Sequence, residues 1–369
     1  MSVGRTPGDP GAGSTLTIHS RTKDYAVEFD DGTDWVRRLA GMDRTFVVVD
    51  ENVLRLHGEG ILAPMASTSP VVLPVSEDRK SFESVARLCE QVIERAAKRN
   101  TVVISVGGGI TQDVTGFMAS VLYRGVGWVY VPTTLLAMGD SCIGGKTSLN
   151  LGPRKNLLGT IYPPDRVVIH TPFVATLSDA DFASGVGEIV KLHILGGQVP
   201  AQEIRDALPG LMAREPSAVA RATRSSLGIK RAFIEEDEFD RGRRNLLNFG
   251  HCFGHAIEAA TDFAVPHGLA VVVGMRLADL VGVRRGLLSE DEATSRSRTL
   301  YRPVLRDWPE LDAATQAAVV DAMAYDKKRT GAGLAVVVLG QDLMPTQLSD
   351  VTVEDARLAL AEPVDREAA

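Results

Sequence analysis

Three histidines lie between positions 251 and 267 of the sequence. His251 and His255 are four positions apart in Asn248-Phe-Gly-His-Cys-Phe-Gly-His255, and His267 stands between a proline and a glycine. Because Asn-Phe-Gly interrupts the preceding segment and the following residues favour a helix, His251 and His255 should lie one turn apart on one face. Neutral imidazole is a good ligand for zinc and similar ions, and a catalytic site uses three protein ligands. A histidine pair can also be structural, but the third histidine favours a metal site completed from elsewhere.

Glu188 and Lys191 are a second candidate pair, in the segment Gly185-Val-Gly-Glu188-Ile-Val-Lys191. Their spacing places both on one face of a predicted helix. On a surface this would be an ordinary ion pair, but the neighbouring glycine, valine and isoleucine residues indicate a cleft. Glu188 is therefore a candidate metal ligand and Lys191 a candidate cation beside it. The charge-rich stretch from Lys230 to Arg244 is predicted to be mostly solvated.

A triple glycine, Gly107-Gly108-Gly109, follows an apolar run and precedes a helical segment. Glycines at this point let the backbone approach a pyrophosphate, and the helix start offers free N–H groups. The sequence is not Gly-x-Gly-x-x-Gly, and close packing of strand on helix would produce the same turn. Asp50 ends another apolar run, where a carboxylate can bind a ribose hydroxyl or cap a loop.

Gly144-Gly145-Lys146-Thr147 has the end of a P-loop but lacks its upstream glycine, and Asp140 precedes Ser141. This excludes the nucleoside triphosphatase interpretation. Lys146, Lys155 and Asn156, with Arg124 before them, nevertheless form a set of donors suited to a phosphate or a carboxylate.

These residues need two kinds of domain to position them. From Leu16 to about Thr176 short apolar runs alternate with helical segments, which predicts an α/β domain with an open sheet. From about Ser178 helical periodicity dominates, with one late strand at Leu334–Leu339. The predicted organisation is a disordered tail at 1–15, an α/β domain at 16–177, a helical domain at 178–361 and a second tail at 362–369. The predicted strands are Tyr25–Phe29, Thr45–Val49, Val71–Val75, Val102–Val106, Trp128–Val131 and Val167–Ile169.

The composition limits the partners of the protein. A length of 369 residues exceeds the usual size of a single core, so two domains are expected. The net charge of −7 argues against nucleic-acid or membrane-surface binding. No apolar run reaches the roughly 20 residues that span a bilayer, and the first residues do not resemble a signal peptide. Three scattered cysteines favour reduced thiols. We therefore expect a cytoplasmic protein.

Taken in order, the motifs at Gly107–Asp113, Val131–Asn156, Gly185–Lys191, Lys230–Arg244 and Asn248–His267 resemble the 3-dehydroquinate synthase family of the sugar-phosphate cyclase superfamily. The resemblance covers about residues 47–338. It implies an N-terminal Rossmann-like NAD-binding domain, a mostly helical C-terminal metal-binding domain and a homodimer. The implied reaction converts 3-deoxy-arabino-heptulosonate 7-phosphate to 3-dehydroquinate and phosphate, by transient oxidation, phosphate elimination, reduction and intramolecular aldol closure. The enzyme would be a carbon–oxygen lyase of the shikimate pathway, using NAD and zinc or cobalt.

The resemblance also implies a role for particular residues. The metal ligands would be Glu188, His251 and His267, with His255 contacting the substrate phosphate instead of the metal. The implied NAD contacts are Asp50, Asn52, Glu77, Lys80, Gly108, Gly109, Asp113, Thr133, Thr134, Lys146, Lys155 and Thr176. The implied substrate contacts are Asp140, Lys146, Asn156, Lys191, Lys230, Arg244, Asn248, His255, Lys328 or its neighbour Lys327, and Arg124 from the partner subunit.

The exact substrate is open at this point. Other members of the superfamily cyclise sedoheptulose 7-phosphate or glucose 6-phosphate, but Asn248 and His255 fit the dehydroquinate synthase pattern, and Lys230 and Arg244 offer charge to a sugar acid. Ser148-Leu149-Asn150, Leu192-His193 and Leu269 depart from that pattern. A cyclase of specialised metabolism, of the valiolone or amino-dehydroquinate type, is therefore the first alternative. An iron-type alcohol dehydrogenase and a non-catalytic homologue are the others.

Overall fold

The computed structural model describes residues 15–152, 154–306, 308–309, 311–330 and 333–362, with residues 325–330 described by their backbone alone. Most of the two predicted tails and the side chains of Lys327 and Lys328 lie outside the described residues. The chain divides into two compact units between Thr176 and Leu177. Each unit is described by itself.

The first unit is built on a seven-stranded sheet with the order β1-β2-β9-β6-β5-β3-β4. All neighbouring strands are parallel except β1 and β2. A separate antiparallel hairpin is formed by β7 and β8. The strands are β1 (Thr15–Ile18), β2 (Tyr25–Phe29), β3 (Thr45–Asp50), β4 (Val71–Leu73), β5 (Val102–Gly107), β6 (Gly127–Pro132), β7 (Lys146–Leu151), β8 (Arg154–Ile161) and β9 (Arg166–Ile169). The helices are α1 (Asp34–Ala40), α2 (Glu51–His57), α3 (Ala63–Ala66), α4 (Phe82–Glu94) and α5 (Gly109–Val121).

The order of the strands decides where this unit can bind a ligand. The chain passes from β3 outward to β4, and then returns to the other side of β3 to form β5, β6 and β9. The strand order therefore reverses between β3 and β5. In open parallel sheets, ligands bind beyond the carboxyl ends of the strands at such a reversal. β3 ends at Asp50, and β5 ends at Gly107, the first residue of the triple glycine.

The predicted α/β fold class is confirmed, and the six predicted strands of this unit are present. β1 and the β7–β8 hairpin were not predicted. β1 begins at Thr15, the last residue of the predicted tail. β8 contains Arg154, Lys155, Asn156 and Gly159, so it lacks the apolar alternation by which a strand is recognised.

The second unit is mostly helical, as predicted. It contains one antiparallel hairpin, in which the predicted strand at Leu334–Leu339 pairs with a strand that was not predicted. Its helices are α6 (Asp179–Leu195), α7 (Gln198–Met212), α8 (Pro216–Glu236), α9 (His251–Ala260), α10 (His267–Arg284), α11 (Glu290–Arg296), α12 (Arg302–Leu305), α13 (Ala313–Thr330) and α14 (Val353–Leu360), and its strands are β10 (Leu334–Leu339) and β11 (Pro345–Val351). In the part of the chain that the structure describes, no helix combines the length and the apolar character needed to cross a membrane.

Candidate active site

The glycine turn after β5 leaves space for a ligand at the start of α5. A Cβ atom on Gly107 would lie 2.5 Å from Thr111 Oγ1, so this glycine is needed for close packing. A Cβ on Gly109 would have no described atom within 4 Å. The backbone of Gly109 thus borders open space at the N-terminal end of a 13-residue helix. Helix starts of this kind bind phosphate groups through free N–H groups.

Asp50 caps the helix that follows β3. Its Oδ1 atom accepts hydrogen bonds from the backbone N–H groups of Asn52, at 2.8 Å, and Val53, at 3.3 Å. Burial raises the pKa of Asp50, while these two N–H groups lower it by a smaller amount. Of the alternatives left open by the sequence, the helix cap is present. Because both bonds go to Oδ1, the other carboxylate oxygen can still accept a ribose hydroxyl.

Thr133 and Thr134, which follow β6, pack against the glycine turn. The backbone N–H of Thr133 donates to Gly107 O at 3.0 Å. A Cβ on Gly108 would lie 3.0 Å from the Thr134 methyl group, so glycine is the residue that fits there without displacement. The two threonines therefore hold the turn between β5 and α5 in place.

Thr176, the last residue of the first unit, has its hydroxyl group engaged twice. The hydroxyl donates to Phe173 O at 3.1 Å, and His57 Nε2 lies 3.0 Å from the same oxygen. Burial lowers the pKa of His57. A neutral ring with its proton on Nε2 would donate to Thr176.

A polar network joins the turn before α4, helix α5 and the β7–β8 hairpin. Lys80 Nζ lies 2.5 Å from Asp113 Oδ2 and 2.6 Å from Asn156 Oδ1. Lys155 Nζ lies 3.6 Å from Glu77 Oε1. Burial raises the pKa of Asp113, and the nearby ammonium group of Lys80 opposes that shift. The structure therefore brings together five residues from distant parts of the sequence that the resemblance implies for NAD or substrate.

Two residues of this network were missed by the sequence analysis. Ser148 contacts Asp113 and Asn156, through bonds of 2.9 to 3.1 Å. The Asn150 side chain donates to Glu77 O at 3.0 Å and to Glu77 Oε1 at 2.9 Å. Both belong to the run Ser148-Leu149-Asn150 that departs from the family pattern, but their contacts depend on a hairpin that lacks a strand pattern.

The remaining predicted residues of the first unit occupy separate positions. Lys146 is exposed at the start of β7, whereas in a P-loop it would begin a helix. Asp140 is half-buried in the helical turn Ala137–Ser141. Arg124 is exposed in a turn where Tyr123 and Arg124 both have positive φ, at 51° and 65°.

Glycines let three helices of the second unit meet at the candidate metal ligands. A Cβ on Gly268 of α10 would lie 1.9 Å from Ser184 O of α6. A Cβ on Gly274 of α10 would lie 2.0 Å from Gly250 O, immediately before α9. Backbones can approach this closely only without side chains between them. Glu188 on α6, and the histidines that begin α9 and α10, are thereby brought to one point.

The ligand atoms of Glu188, His251 and His267 all lie within 4.8 Å of one another. His251 Nε2 is 3.7 Å and His267 Nε2 is 3.5 Å from Glu188 Oε1. The Glu188 side chain is 1% exposed, and its Oε1 atom faces both imidazole rings. The geometry is that of a pocket for a cation.

The other ring nitrogen of each histidine has an acceptor. His251 Nδ1 lies 3.2 Å from Phe249 O, and His267 Nδ1 lies 2.9 Å from Glu258 Oε2. These acceptors place a proton on Nδ1 and turn Nε2 of both rings toward Glu188. Partners of this kind orient histidine ligands in metalloproteins. One carboxylate and two imidazoles fit zinc or cobalt and leave coordination positions for a substrate.

The two histidines differ in their affinity for protons. Burial lowers the pKa of His251 well below its ordinary value, with Lys191, His255 and His267 acting in the same direction. Burial also disfavours a charged His267, but Glu188 and Glu258 together outweigh it and raise the pKa to about 9. The cluster therefore favours a positive charge between His267 and Glu188.

A second set of groups shares one histidine with the first. His255, Glu258 and His267 also have ligand atoms within 4.8 Å of one another. In this set Glu258 is already the acceptor for His267 Nδ1, and His255 is exposed. His251 and His255 lie on one helix turn as predicted, with ring centroids 5.3 Å apart and planes at 90°. The set that contains Glu188 is the better candidate, because the Nε2 atoms of His251 and His267 both face the Glu188 carboxylate.

Lys191 and two other predicted cations are buried in this unit. Lys191 Nζ lies 2.5 Å from Glu188 Oε2. Lys230 and Arg244 are buried, although the sequence analysis expected most of the stretch that contains them to be solvated. Arg241 and Arg243 in the same stretch are exposed. The two cations implied for the substrate therefore differ from these neighbours in being buried. Asn248 is exposed, and Lys328 lies outside the described side chains.

Glu258 is the residue of this unit that the sequence analysis missed. It follows His251 by seven positions and His255 by three, so it lies on the same helix face. An acidic residue on the face that carries two histidines was a usable signal.

Comparisons with known proteins identify the family of this chain. The family model for the 3-dehydroquinate synthase N-terminal domain matches residues 70–184, and that for the C-terminal domain matches residues 185–329. A 3-dehydroquinate synthase of Roseobacter denitrificans is 36% identical over 331 residues, which cover 86% of this chain and 88% of the relative.

Solved structures of cyclases are similar as well. A 2-epi-5-epi-valiolone synthase from Streptomyces hygroscopicus subsp. jinggangensis 5008, with NAD+ and Zn2+ bound, matches with a TM-score of 0.78 and 27% identity, covering 94% of this chain and 97% of that one. A 2-deoxy-scyllo-inosose synthase complexed with carbaglucose-6-phosphate, NAD+ and Co2+ matches with a TM-score of 0.85 and 23% identity, covering 95% and 100%. The second likeness concerns the fold alone. On the two matched domains and the identity to curated relatives, this chain belongs to the 3-dehydroquinate synthase family.

Proposed function

We propose that this chain is a 3-dehydroquinate synthase, a carbon–oxygen lyase that releases phosphate from 3-deoxy-arabino-heptulosonate 7-phosphate and closes the carbocycle of 3-dehydroquinate. The observation that carries the proposal is the cluster of Glu188, His251 and His267, whose two Nε2 atoms face one buried carboxylate. The curated relatives at 33 to 37% identity that share most of the chain have this activity in their names.

Glu188, His251 and His267 would hold the divalent metal. A bound metal would supply Lewis-acid chemistry, lowering the pKa of a substrate hydroxyl that is to be oxidised, and a bound NAD would supply a hydride acceptor and donor. Glu258 would fix the ring of His267, and Phe249 O that of His251. Lys191 would bring a second positive charge to Glu188, 2.5 Å away, which limits the charge that the carboxylate presents.

The crevice between β3 and β5 would hold NAD. Its pyrophosphate fits the open space at Gly109, and a ribose hydroxyl fits the second oxygen of Asp50. The remaining NAD contacts that we propose are Asn52, Glu77, Lys80, Gly108, Asp113, Thr133, Thr134, Lys146, Lys155 and Thr176. Of these, Lys80 and Asp113 are already joined by an ion pair.

The substrate phosphate would be bound by Lys146, Asn156, Asn248 and His255, all of which are exposed. The substrate carboxylate would be met by Lys230 and Arg244, two buried cations whose N–H groups suit a carboxylate. Asp140, Arg124 of a partner subunit and Lys328 complete the proposed substrate set.

The test is a phosphate-release assay with added NAD and zinc or cobalt. It is run in parallel on the heptulosonate, sedoheptulose and glucose phosphates, together with the variant Glu188→Gln. We expect release from the heptulosonate, and a common loss of metal content and activity in the variant. Full turnover by Glu188→Gln would overturn the ligand assignment, and release from another sugar phosphate alone would overturn the substrate.

One observation favours a second substrate class. The solved structure with 27% identity is a 2-epi-5-epi-valiolone synthase. Release from sedoheptulose 7-phosphate and not from the heptulosonate would identify this chain as a cyclase of that type.

We also propose that the protein is a homodimer in the cytoplasm. The dimer is supported by apolar side chains that the first unit exposes near Arg124, namely Val121 and Tyr123, which are 46% and 40% exposed. The location is supported by Cys89, Cys142 and Cys252, none of which forms a disulfide, as suits a reducing compartment.

A further inference from the structure

Ser148 joins two parts of the polar network in the first unit. Its Oγ atom lies 3.1 Å from Asp113 Oδ2 and 2.9 Å from Asn156 Oδ1. Its backbone N–H donates to Asp113 Oδ1 at 3.0 Å. Asp113 is proposed above for NAD and Asn156 for the substrate phosphate. Ser148 therefore contacts a member of each set without belonging to either.

The contacts of Asn156 determine which way its carboxamide points. Lys80 Nζ lies 2.6 Å from one terminal atom of this side chain. An ammonium group can only donate, so that atom must be the oxygen, Oδ1. The Ser148 hydroxyl approaches the same oxygen. Both donors therefore hold Oδ1 toward the network and turn Nδ2 away from it.

The backbone of Asn156 is held as well. Its N–H donates to Asn150 Oδ1 at 3.0 Å, and its φ of 53° lies in the left-handed region that asparagine tolerates. The residue is exposed. An exposed carboxamide with a fixed oxygen presents two N–H groups, which match the acceptor oxygens of a phosphate.

We propose that Ser148 is a positioning residue for phosphate binding. Together with Lys80 it fixes the Asn156 carboxamide so that Nδ2 faces the phosphate group of the substrate. This inference rests on the proposed function for the identity of that phosphate. Ser148 has one hydroxyl hydrogen and two acceptors, Asp113 and Asn156, so it donates to one of them at a time. Because Lys80 remains, losing the hydroxyl should weaken the orientation without abolishing it.

The expected effect of Ser148→Ala is selective. The Ki for inorganic phosphate and the KM for substrate should rise about 3- to 10-fold, the usual effect of losing one hydrogen bond. The kcat should stay within about twofold, since Ser148 does not touch the reacting atoms. Ser148→Thr keeps the hydroxyl and should restore most of the affinity. The matched control is Ser67→Ala, whose exposed hydroxyl donates to Pro64 O at 2.8 Å, and it should leave both constants unchanged.

The experiment compares these proteins as holoenzymes with NAD and zinc. It measures phosphate release, inhibition by inorganic phosphate, and direct binding of inorganic phosphate by calorimetry. An unchanged phosphate affinity in Ser148→Ala, or no recovery in Ser148→Thr, would overturn the inference. If Ser148→Ala does not fold, the variant Asn156→Asp is used instead, because it replaces the Nδ2 donor with an acceptor. A phosphate affinity equal to that of the wild type in Asn156→Asp would also overturn the inference. If the wild-type protein releases phosphate from none of the three sugar phosphates, the proposed function fails, while calorimetry still tests Ser148.

Discussion

Removing the negative charge of Glu258 should weaken metal binding without unfolding the protein. Glu258 Oε2 lies 2.9 Å from His267 Nδ1, and the carboxylate is nearly buried. The substitution Glu258→Gln keeps the size of the side chain and an oxygen that can accept the same hydrogen bond. It removes the charge that raises the basicity of His267 and fixes its ring, so the change isolates that electrostatic contribution.

The size of the effect follows from the position of Glu258. Partners that orient a ligating histidine contribute roughly 10- to 100-fold to metal affinity, which corresponds to about 1.4 to 2.7 kcal/mol. We expect a loss within this range for Glu258→Gln. The ligands Glu188, His251 and His267 are unchanged, so the loss should be smaller than that caused by Glu188→Gln.

The assay is the affinity for zinc in competition with a chromophoric chelator, together with zinc content after dialysis. The control is Glu354→Gln, an exposed member of an ion pair with Arg357, which should bind zinc like the wild type. Thermal unfolding of the metal-free proteins separates a loss of affinity from a loss of fold. If Glu258→Gln binds zinc as tightly as the control, Glu258 does not orient a metal ligand, and the argument from the hydrogen bond of His267 is wrong.

Three further predictions concern packing, pH and assembly. Gly268→Ala would place a Cβ 1.9 Å from a carbonyl oxygen of α6, and we expect it to lower the free energy of unfolding in urea by about 1 to 3 kcal/mol. The control is Gly228→Ala, where no described atom lies within 4 Å of the added Cβ, and it should leave that free energy unchanged or raise it. Burial lowers the pKa of His193 from 6.5 to about 4, so the unfolded chain takes up its proton first. Stability present above pH 6.5 should therefore fall by at most about 3 kcal/mol as the pH drops to 4, and His193→Leu should flatten this part of the unfolding profile. If Arg124 acts in a partner subunit, mixing inactive Arg124→Ala with inactive His251→Ala should restore about a quarter of wild-type activity, whereas no recovery in mixed dimers would contradict that role.

Local pattern was enough to predict the sheet and the candidate metal ligands. The parallel strands are buried valine-rich runs, so they are visible in the sequence. The histidines of the candidate metal site are visible because His251 and His255 repeat at the helical period and His267 follows a proline. Spacing paired His251 with His255 and made Glu188 a further candidate, and only the resemblance removed His255 from the ligand set. Which of these residues share one site depends on how closely α6, α9 and α10 pack, and this packing cannot be deduced from the spacing of residues within one helix.

The hairpin that carries Asn156 was hidden for a related reason. Its second strand is polar and contains Gly159, so its own pattern does not mark it as a strand, and its pairing with β7 is visible only in the structure. Ser148 and Asn150 have functions only within that pairing. Glu258, in contrast, lies on a helix face that already carried two histidines, and its role could have been predicted.

The central claim is that Glu188, His251 and His267 hold one divalent metal ion. The most direct measurement is anomalous diffraction at the zinc edge from crystals of the zinc-loaded protein. We predict one strong peak about 2.0 to 2.2 Å from a Glu188 oxygen and from the Nε2 atoms of both histidines. A peak held by His255 and Glu258, or no peak near Glu188, would contradict the claim.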